Sequence, residues 1–519
     1  MRTRLAMAAL GLAVLSGPLA AGPRLRTAGG ELEGVAVRGG EAFLGIPYAA
    51  PPVGAGRWRA PQPAAPWTGV RLASQRGPAC QQAIAGAWGP YTAEFVAAPP
   101  VSEDCLTLNL WRPAKAGTSP LPVLVFIHGG AYQGGSGNMP LYDGARLAAR
   151  GVVVITINYR LGVFGFLAHP ALTAEDPQAS GNYGLLDQIA ALRWIRANVA
   201  RFGGDPARIT VAGESAGAAS VNNLMMMPAA RGLFQRAISL SGASMAIATP
   251  TLAKGEDDGL AFAAQVGAGD LAALRALPPE SLLAASAIVP VEGGPPRLVF
   301  VPHLDGTLLP YDPDQPQAPV VSPVPLLTGF NAAEMIDPTV RSPDQFAAAV
   351  RRRYGAFADR LLALYPHATA AEAQASNVLL ARDRYMAGLV RWAQTRGTMQ
   401  RQRIFAYLYD HPYPPARGGA AFGAFHSSEL PYIFGTIGLG DRTFTARDRA
   451  VSRHWQDRLL AFVRTGNPSL PESGWWPVGY NPVVMGLGDG IGPRLAVSTP
   501  ERLAAWEAYA EAHGSLGLM

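Results

Sequence analysis

The chain has 519 residues, 49% of them hydrophobic and 15% charged. That balance supports a large buried core and excludes a disordered chain. The net charge of +6 comes from 43 basic against 37 acidic residues, scattered along the chain, so no basic patch for nucleic acid is expected.

The chain opens on Met1-Arg2-Thr3-Arg4, an apolar stretch, and small residues ending Pro18-Leu19-Ala20-Ala21. This order predicts a secretory signal peptide over 1–21, cleaved near Ala20 or Ala21, and an exported protein, periplasmic or secreted. The stretch is short for a bilayer span, and no later segment has the length of one, so no stable membrane insertion is expected. Residues 22–519 show no repeat, no low-complexity linker and no composition break, and are expected to form one large domain. Cys80 and Cys105 allow a single intrachain pairing, which export would permit; two buried thiols are the alternative. Without neighbouring histidines they make no zinc site, and neither a metal nor a cofactor is expected.

In chain order, residues 31–48 read as a β-ribbon and 80–105 as a polar, aromatic loop pinned at its base. The run Val123-Leu124-Val125-Phe126-Ile127 predicts a central parallel strand buried on both faces. It ends at His128-Gly129-Gly130-Ala131-Tyr132. A helix is expected over 142–150 and a strand over 152–157. Leu185, Ile189, Leu192, Ile195, Val199 and Phe202 recur every three or four residues, marking one helix face. Strands are expected over 209–212, 236–240, 324–329 and 404–409, a mostly helical insertion over 341–398, and amphipathic helices over 449–464 and 500–513. Alternating strand and helix argues for an α/β fold with a parallel sheet.

Gly213-Glu214-Ser215-Ala216-Gly217 lies between a predicted strand and a predicted helix. In that setting G-x-S-x-G is a strained turn that exposes a serine nucleophile at the sheet's end. Such a serine needs a base and a group to orient it, in the chain order serine, acid, histidine. That order removes His128 and His169. His411, directly after a strand, and His426, in a small-residue loop, are the best-placed bases. Glu334, just past a predicted strand end, and Asp337 are the candidate acids. Oxyanion donors are expected from the Gly129-Gly130-Ala131 turn and the amide of Ala216.

With those residues in view, the chain resembles the type-B carboxylesterase/cholinesterase/lipase family of α/β-hydrolases. Ser102-Glu103-Asp104-Cys105-Leu106, Asn158-Tyr159-Arg160-Leu161-Gly162, Gly181-Asn182-Tyr183-Gly184 and Phe202-Gly203-Gly204-Asp205-Pro206 all carry the resemblance. It implies an α/β-hydrolase fold and a serine hydrolase cleaving carboxylic esters through an acyl-enzyme. It implies Ser215 as nucleophile, Glu334 as acid and His426 as base, with oxyanion donors at Gly130, Ala131 and Ala216 and a Cys80–Cys105 disulfide. The chain departs from the family pattern at Ala131, where many members carry a third glycine, and at Met335, where glycine is usual. Trp88 stands early in the disulfide loop, whereas the choline-binding tryptophan of cholinesterases stands late, so cholinesterase activity is not implied. The chain looks most like bacterial general esterases of the p-nitrobenzyl-esterase kind. An acyltransferase or amidase with the same triad, and a non-catalytic binding protein on the same scaffold, are the rival readings.

Overall fold

A computed structural model describes residues 22–114, 117, 119–242, 249–286, 298–334, 336–479, 481–513 and 516. The expected signal peptide and Met335 lie outside the described residues.

The alternation of strand and helix resolves into an eleven-stranded mixed sheet. Its strands are β1 (Val35–Val37), β2 (Gly40–Pro47), β3 (Thr107–Pro113), β4 (Leu121–Ile127), β5 (Val153–Ile157) and β6 (Gly204–Glu214). They continue as β7 (Arg236–Leu240), β8 (Leu326–Asn331), β9 (Ile404–Tyr409), β10 (Val483–Leu487) and β11 (Gly492–Leu495). The spatial order is β1-β2-β3-β5-β4-β6-β7-β8-β9-β10-β11. Strands β4 to β10 run parallel and the flanking ones antiparallel, which is the α/β-hydrolase architecture expected.

The apolar run in β4 explains its central place. Val123, Val125 and Ile127 enter one hydrophobic layer, while Leu124 and Phe126 enter another. Successive side chains on a strand point to opposite faces, so a strand buried on both sides must be apolar throughout. Five helices matter for the site and its support: α1 (Tyr183–Asn198), α2 (Ala216–Met226), α3 (Ala370–Gln400), α4 (Ala446–Thr465) and α5 (Pro500–His513). Leu185, Ile189, Leu192 and Ile195 of α1 join the first layer, and Val451, Trp455, Leu459 and Phe462 of α4 join the second. A third apolar cluster gathers Phe346, Leu361, Ala373 and Trp506 around the 341–398 insertion and α5.

The structure corrects several local readings. The ribbon over 31–48 is divided: Glu31–Glu33 pairs with Arg24–Arg26 and Val70–Leu72 in a separate small sheet, and only β1 and β2 join the main one. The helix expected over 142–150 shrinks to Ala145–Ala148, with Gly144 at its N-cap, behind a 3-10 turn at Pro140–Tyr142. The periodic stretch ending at Phe202 is α1 plus a 3-10 turn, closed by Gly203 at φ 81°. Strands β10 and β11 had no expectation at all; both are short, and β11 carries only alternate burial.

Candidate active site

The parallel strands end on one edge, and that edge collects the candidate residues. Strand β6 ends at Glu214, and Ser215 turns the chain into α2 at φ 56°, ψ −123°. A non-glycine residue at positive φ is a strained position, held here by the Ser215 amide donating to the Leu240 carbonyl of β7 (3.0 Å). The flanking glycines are required by space. A Cβ on Gly217 would lie 2.1 Å from the Ile127 carbonyl oxygen, and one on Gly213 would lie 2.2 Å from that of Gly217. Only glycine lets strand, turn and helix approach this closely.

The turn after β4 sits against the serine. A Cβ on Gly129 would fall 2.9 Å from the Cβ of Ser215. Gly130 and Ala131 follow at φ 110° and φ 55°. Ala131 therefore holds a backbone conformation that glycine adopts freely, at a cost of about 1 kcal/mol. Among the described residues, the amides of Gly130, Ala131 and Ala216 donate no backbone hydrogen bond. The Ala216 amide is the first of α2, where unsatisfied N–H groups favour negative charge. The glycine turn is braced from beneath and from one side. Tyr159 stacks on His128 and donates to its carbonyl (3.0 Å), and burial pushes the His128 pKa down to about 4, so that ring is neutral. Gln82, just after Cys80, both accepts from the Gly135 amide and donates to its carbonyl, 2.8 Å each.

Glu334 follows β8 by three residues and is buried, with its carboxylate fully engaged. One oxygen accepts from the Ser241 hydroxyl and from the Asn331 amide, both at 2.6 Å; the other lies 3.0 Å from His426 Nδ1. The loop carrying His426 is docked on this turn by Ala333 N–H to the Ala424 carbonyl and Asn331 Nδ2 to the Phe425 carbonyl. His426 Nε2 lies 3.2 Å from Glu214 Oε1, on the residue directly before Ser215. Among the described residues the Ser215 hydroxyl makes no side-chain hydrogen bond, and the imidazole faces Glu214.

The rival assignments fall elsewhere. Asp337 is held by Thr339 and Arg352, and the His411 ring is bracketed by Asp489 (2.7 Å) and Asp448 (3.0 Å), partners other than Ser215, Glu334 and His426. His454 is exposed on α4, and His303 is buried beside Gly181 and Gly255.

The carboxylates around His426 went unread in the sequence. Glu214 is buried and accepts from the Ser427 hydroxyl (2.6 Å), and Glu429 is buried with Asn331 donating to it. Burial pushes the His426 pKa down, but Glu214 and then Glu334 outweigh it and raise it to about 10. Burial raises Glu429 to about 8 and Glu214 also upward, helped in each by neighbouring carboxylates. Glu214 is the variable position of G-x-S-x-G, and Glu429 lies three residues past His426 on the same short loop; those two spacings were the available signals. Ser241 could have been sought at the end of β7.

The Cys80–Cys105 disulfide is formed, closing the loop at its base. Among the described residues no cluster of His, Cys, Asp or Glu could hold a metal ion, and no helix is long and apolar enough to cross a membrane.

A model of the carboxylesterase family matches residues 21–379 and 373–484. The para-nitrobenzyl esterase of Bacillus subtilis (strain 168) is 36% identical over 467 residues, 86% of this chain and 90% of that protein. The phenmedipham hydrolase of Pseudarthrobacter oxydans is 37% identical over 494 residues, 90% and 95% respectively. A solved PNB esterase structure, 35% identical, superposes with a TM-score of 0.77 over 93% of this chain and 99% of that one.

Proposed function

This chain belongs to the carboxylesterase family and is a carboxylic ester hydrolase, and we propose that it works through an acyl-enzyme on Ser215 with His426 as base and Glu334 as the orienting acid. The observation that carries this reading is the Glu334–His426 pair at the strand edge, with the other imidazole nitrogen beside the residue that precedes the strained serine. Neutral His426 takes the Ser215 proton as the hydroxyl attacks the ester carbonyl. This needs the ring to turn from Glu214 to the serine, as catalytic hydrogen bonds that are long in a free enzyme tighten on substrate. Glu334, with its other oxygen satisfied by Ser241 and Asn331, holds Nδ1–H and compensates the imidazolium. The amides of Gly130, Ala131 and Ala216 receive the oxyanion. His426 then protonates the departing alcohol, and water repeats the sequence on the acyl-enzyme.

Ser215→Ala is expected to lower turnover of p-nitrophenyl acetate by several orders of magnitude with circular dichroism unchanged. Turnover near that of the unaltered protein would overturn the assignment. The same triad would serve an acyltransferase or amidase; product analysis with added alcohol or amide acceptors separates these from hydrolysis. A non-catalytic binding role is disfavoured because all three triad positions are filled. We further propose export, on the basic and apolar leader; N-terminal sequencing of protein recovered from outside the cytoplasm tests it.

A further inference from the structure

The donors on the glycine turn, the amides of Gly130 and Ala131, are aimed by whatever holds their peptide planes. A trans peptide is planar, and its N–H points opposite to its C=O. The Ala131 N–H therefore points away from the Gly130 carbonyl, which accepts from the amides of Gln133 (2.9 Å) and Gly134 (3.0 Å). The chain doubles back at this point. A Cβ on Gly130 would lie 2.2 Å from the Gly134 carbonyl oxygen, and one on Gly135 would lie 2.4 Å from that of Gly129. Gly134 and Gly135 are thus the backing on which Gly129 and Gly130 rest.

That backing is gripped by one side chain of the disulfide loop. Gln82 is buried, and its amide takes Gly135 twice: Oε1 accepts from the N–H and Nε2 donates to the carbonyl, 2.8 Å each. The remaining Nε2 hydrogen goes to the Cys80 carbonyl (2.9 Å). Turning the amide over would set Nε2 against an N–H and Oε1 against two carbonyls, so its orientation is fixed. Among the described residues the Gly135 amide and carbonyl have no backbone partner, and Gln82 does for them what a neighbouring strand would do. Gln82 is itself held by its surroundings. Ala79–Cys80 pairs in parallel with Val101–Ser102, and Asn138 and Asn158 donate to the carbonyls of Gly77 (2.9 Å) and Pro78 (3.0 Å).

We propose that Gln82 is a positioning residue for the oxyanion donors. By clamping Gly135 it fixes Gly134, whose amide holds the Gly130 carbonyl and so sets the direction of the Ala131 N–H. This rests on the esterase reading above. Gln82 acts through the turn and not on the ester, so its loss weakens the charged tetrahedral state and spares the bound ground state.

The test sets two ketones of similar shape beside p-nitrophenyl acetate. Trifluoroacetophenone is attacked as an ester is: Ser215 Oγ bonds to the ketone carbon, the C=O pair becomes an alkoxide at the donors, and the hydroxyl proton passes to His426. Acetophenone binds as the unreacted carbonyl. Gln82→Met keeps length and volume without the hydrogen bonds. It is expected to lower kcat about tenfold with KM within about twofold, a part of the roughly 100-fold or more that follows removal of an oxyanion donor. The inhibition constant of trifluoroacetophenone should rise by the same factor and that of acetophenone by less than about twofold. Gln82→Glu keeps the acceptor for the Gly135 amide; about a threefold change is expected, and it decides the matter should Gln82→Met not fold. Equal weakening of both ketones, a rise in KM alone, or kcat within about twofold in both folded variants would each overturn the proposal. Ser215→Ala separates the two readings: trifluoroacetophenone binding that survives it sinks the esterase mechanism, whereas binding that it abolishes while the Gln82 variants change nothing sinks the present inference alone.

Discussion

At the scale of single residues, the proposed triad sits within a cluster of buried carboxylates. His426 lies between Glu334 and Glu214, and the two carboxylates together hold its pKa near 10 against the opposing effect of burial. A general base must be neutral to act, so activity rises as pH rises through that ionisation. Glu214→Gln removes the larger of the two attractive charges while keeping a polar side chain beside Ser427. The acid limb of the kcat/KM profile is expected to move to lower pH by about one unit, which corresponds to ~1.4 kcal/mol of lost imidazolium stabilisation. A limb that stays in place would show that Glu214 does not govern the imidazole. The sequence exposed Ser215 and its glycines because sterics at a sharp turn leave few residue types. It was silent on Glu214, since the motif treats that position as free, and only the fold brings a loop from beyond residue 420 onto it.

At the scale of elements, the disulfide loop and the histidine loop support one another. The bond closes 25 residues of chain, for which the chain-entropy account gives about 3 kcal/mol. The Arg442–Glu94 pair and the ring contacts of Phe95 hold the loop's far end independently of the cysteines. Replacing both cysteines by alanine should therefore lower the stability measured by denaturant unfolding by about 2–4 kcal/mol while kcat at 25 °C stays within about threefold. A collapse of kcat in folded protein would mean that the bond itself shapes the site. The sequence showed the loop and its two cysteines but not the second anchor, because Glu94 and Arg442 are 348 residues apart. A different buried pair joins other elements: Arg160 forks onto Asp187 at 2.7 and 2.8 Å and ties the segment after β5 to α1. That Arg160 lies in a conspicuous sequence block was visible; that it faces Asp187 was not.

At the scale of the whole molecule, buried ionisable groups set the pH range of stability. Asp448, held by Thr445, Tyr432 and His411 against the opposing effect of burial, lies near pKa 2. Its contribution is present above the ordinary aspartate value near 4 and is lost as pH falls towards 2. Glu429 works in the opposite sense. Its folded pKa near 8 exceeds the unfolded value of about 4.3, so the folded protein keeps a proton that the unfolded chain releases, and stability declines as pH rises between them. His426 adds to that decline, its favourable contribution being complete below about 6.5 and lost towards 10. Glu429→Gln should shrink the stability lost between pH 6 and pH 9 by about 1 kcal/mol or more, given ~1.4 kcal/mol per pKa unit. Denaturant titrations at the two pH values decide it, and an undiminished loss would exclude Glu429 as a source.

Across these scales the division between sequence and structure has a physical cause. Strand β4, helix α1 and the serine turn were legible because local sterics and burial on one or two faces impose a short period on the sequence. The type of each partner was legible too: a serine, an acid and a histidine in a fixed chain order. Position alone left His426 against His411 and Glu334 against Asp337 open, and the family resemblance preferred the first of each pair. The tertiary structure alone supplied the geometry, with His411 enclosed by two aspartates and Glu334 completed by Ser241 and Asn331. It also revealed the buried carboxylates and the second anchor of the disulfide loop. Contacts between residues hundreds of positions apart leave no period in a single chain, because nothing local requires them until the sheet brings its strand ends to one edge.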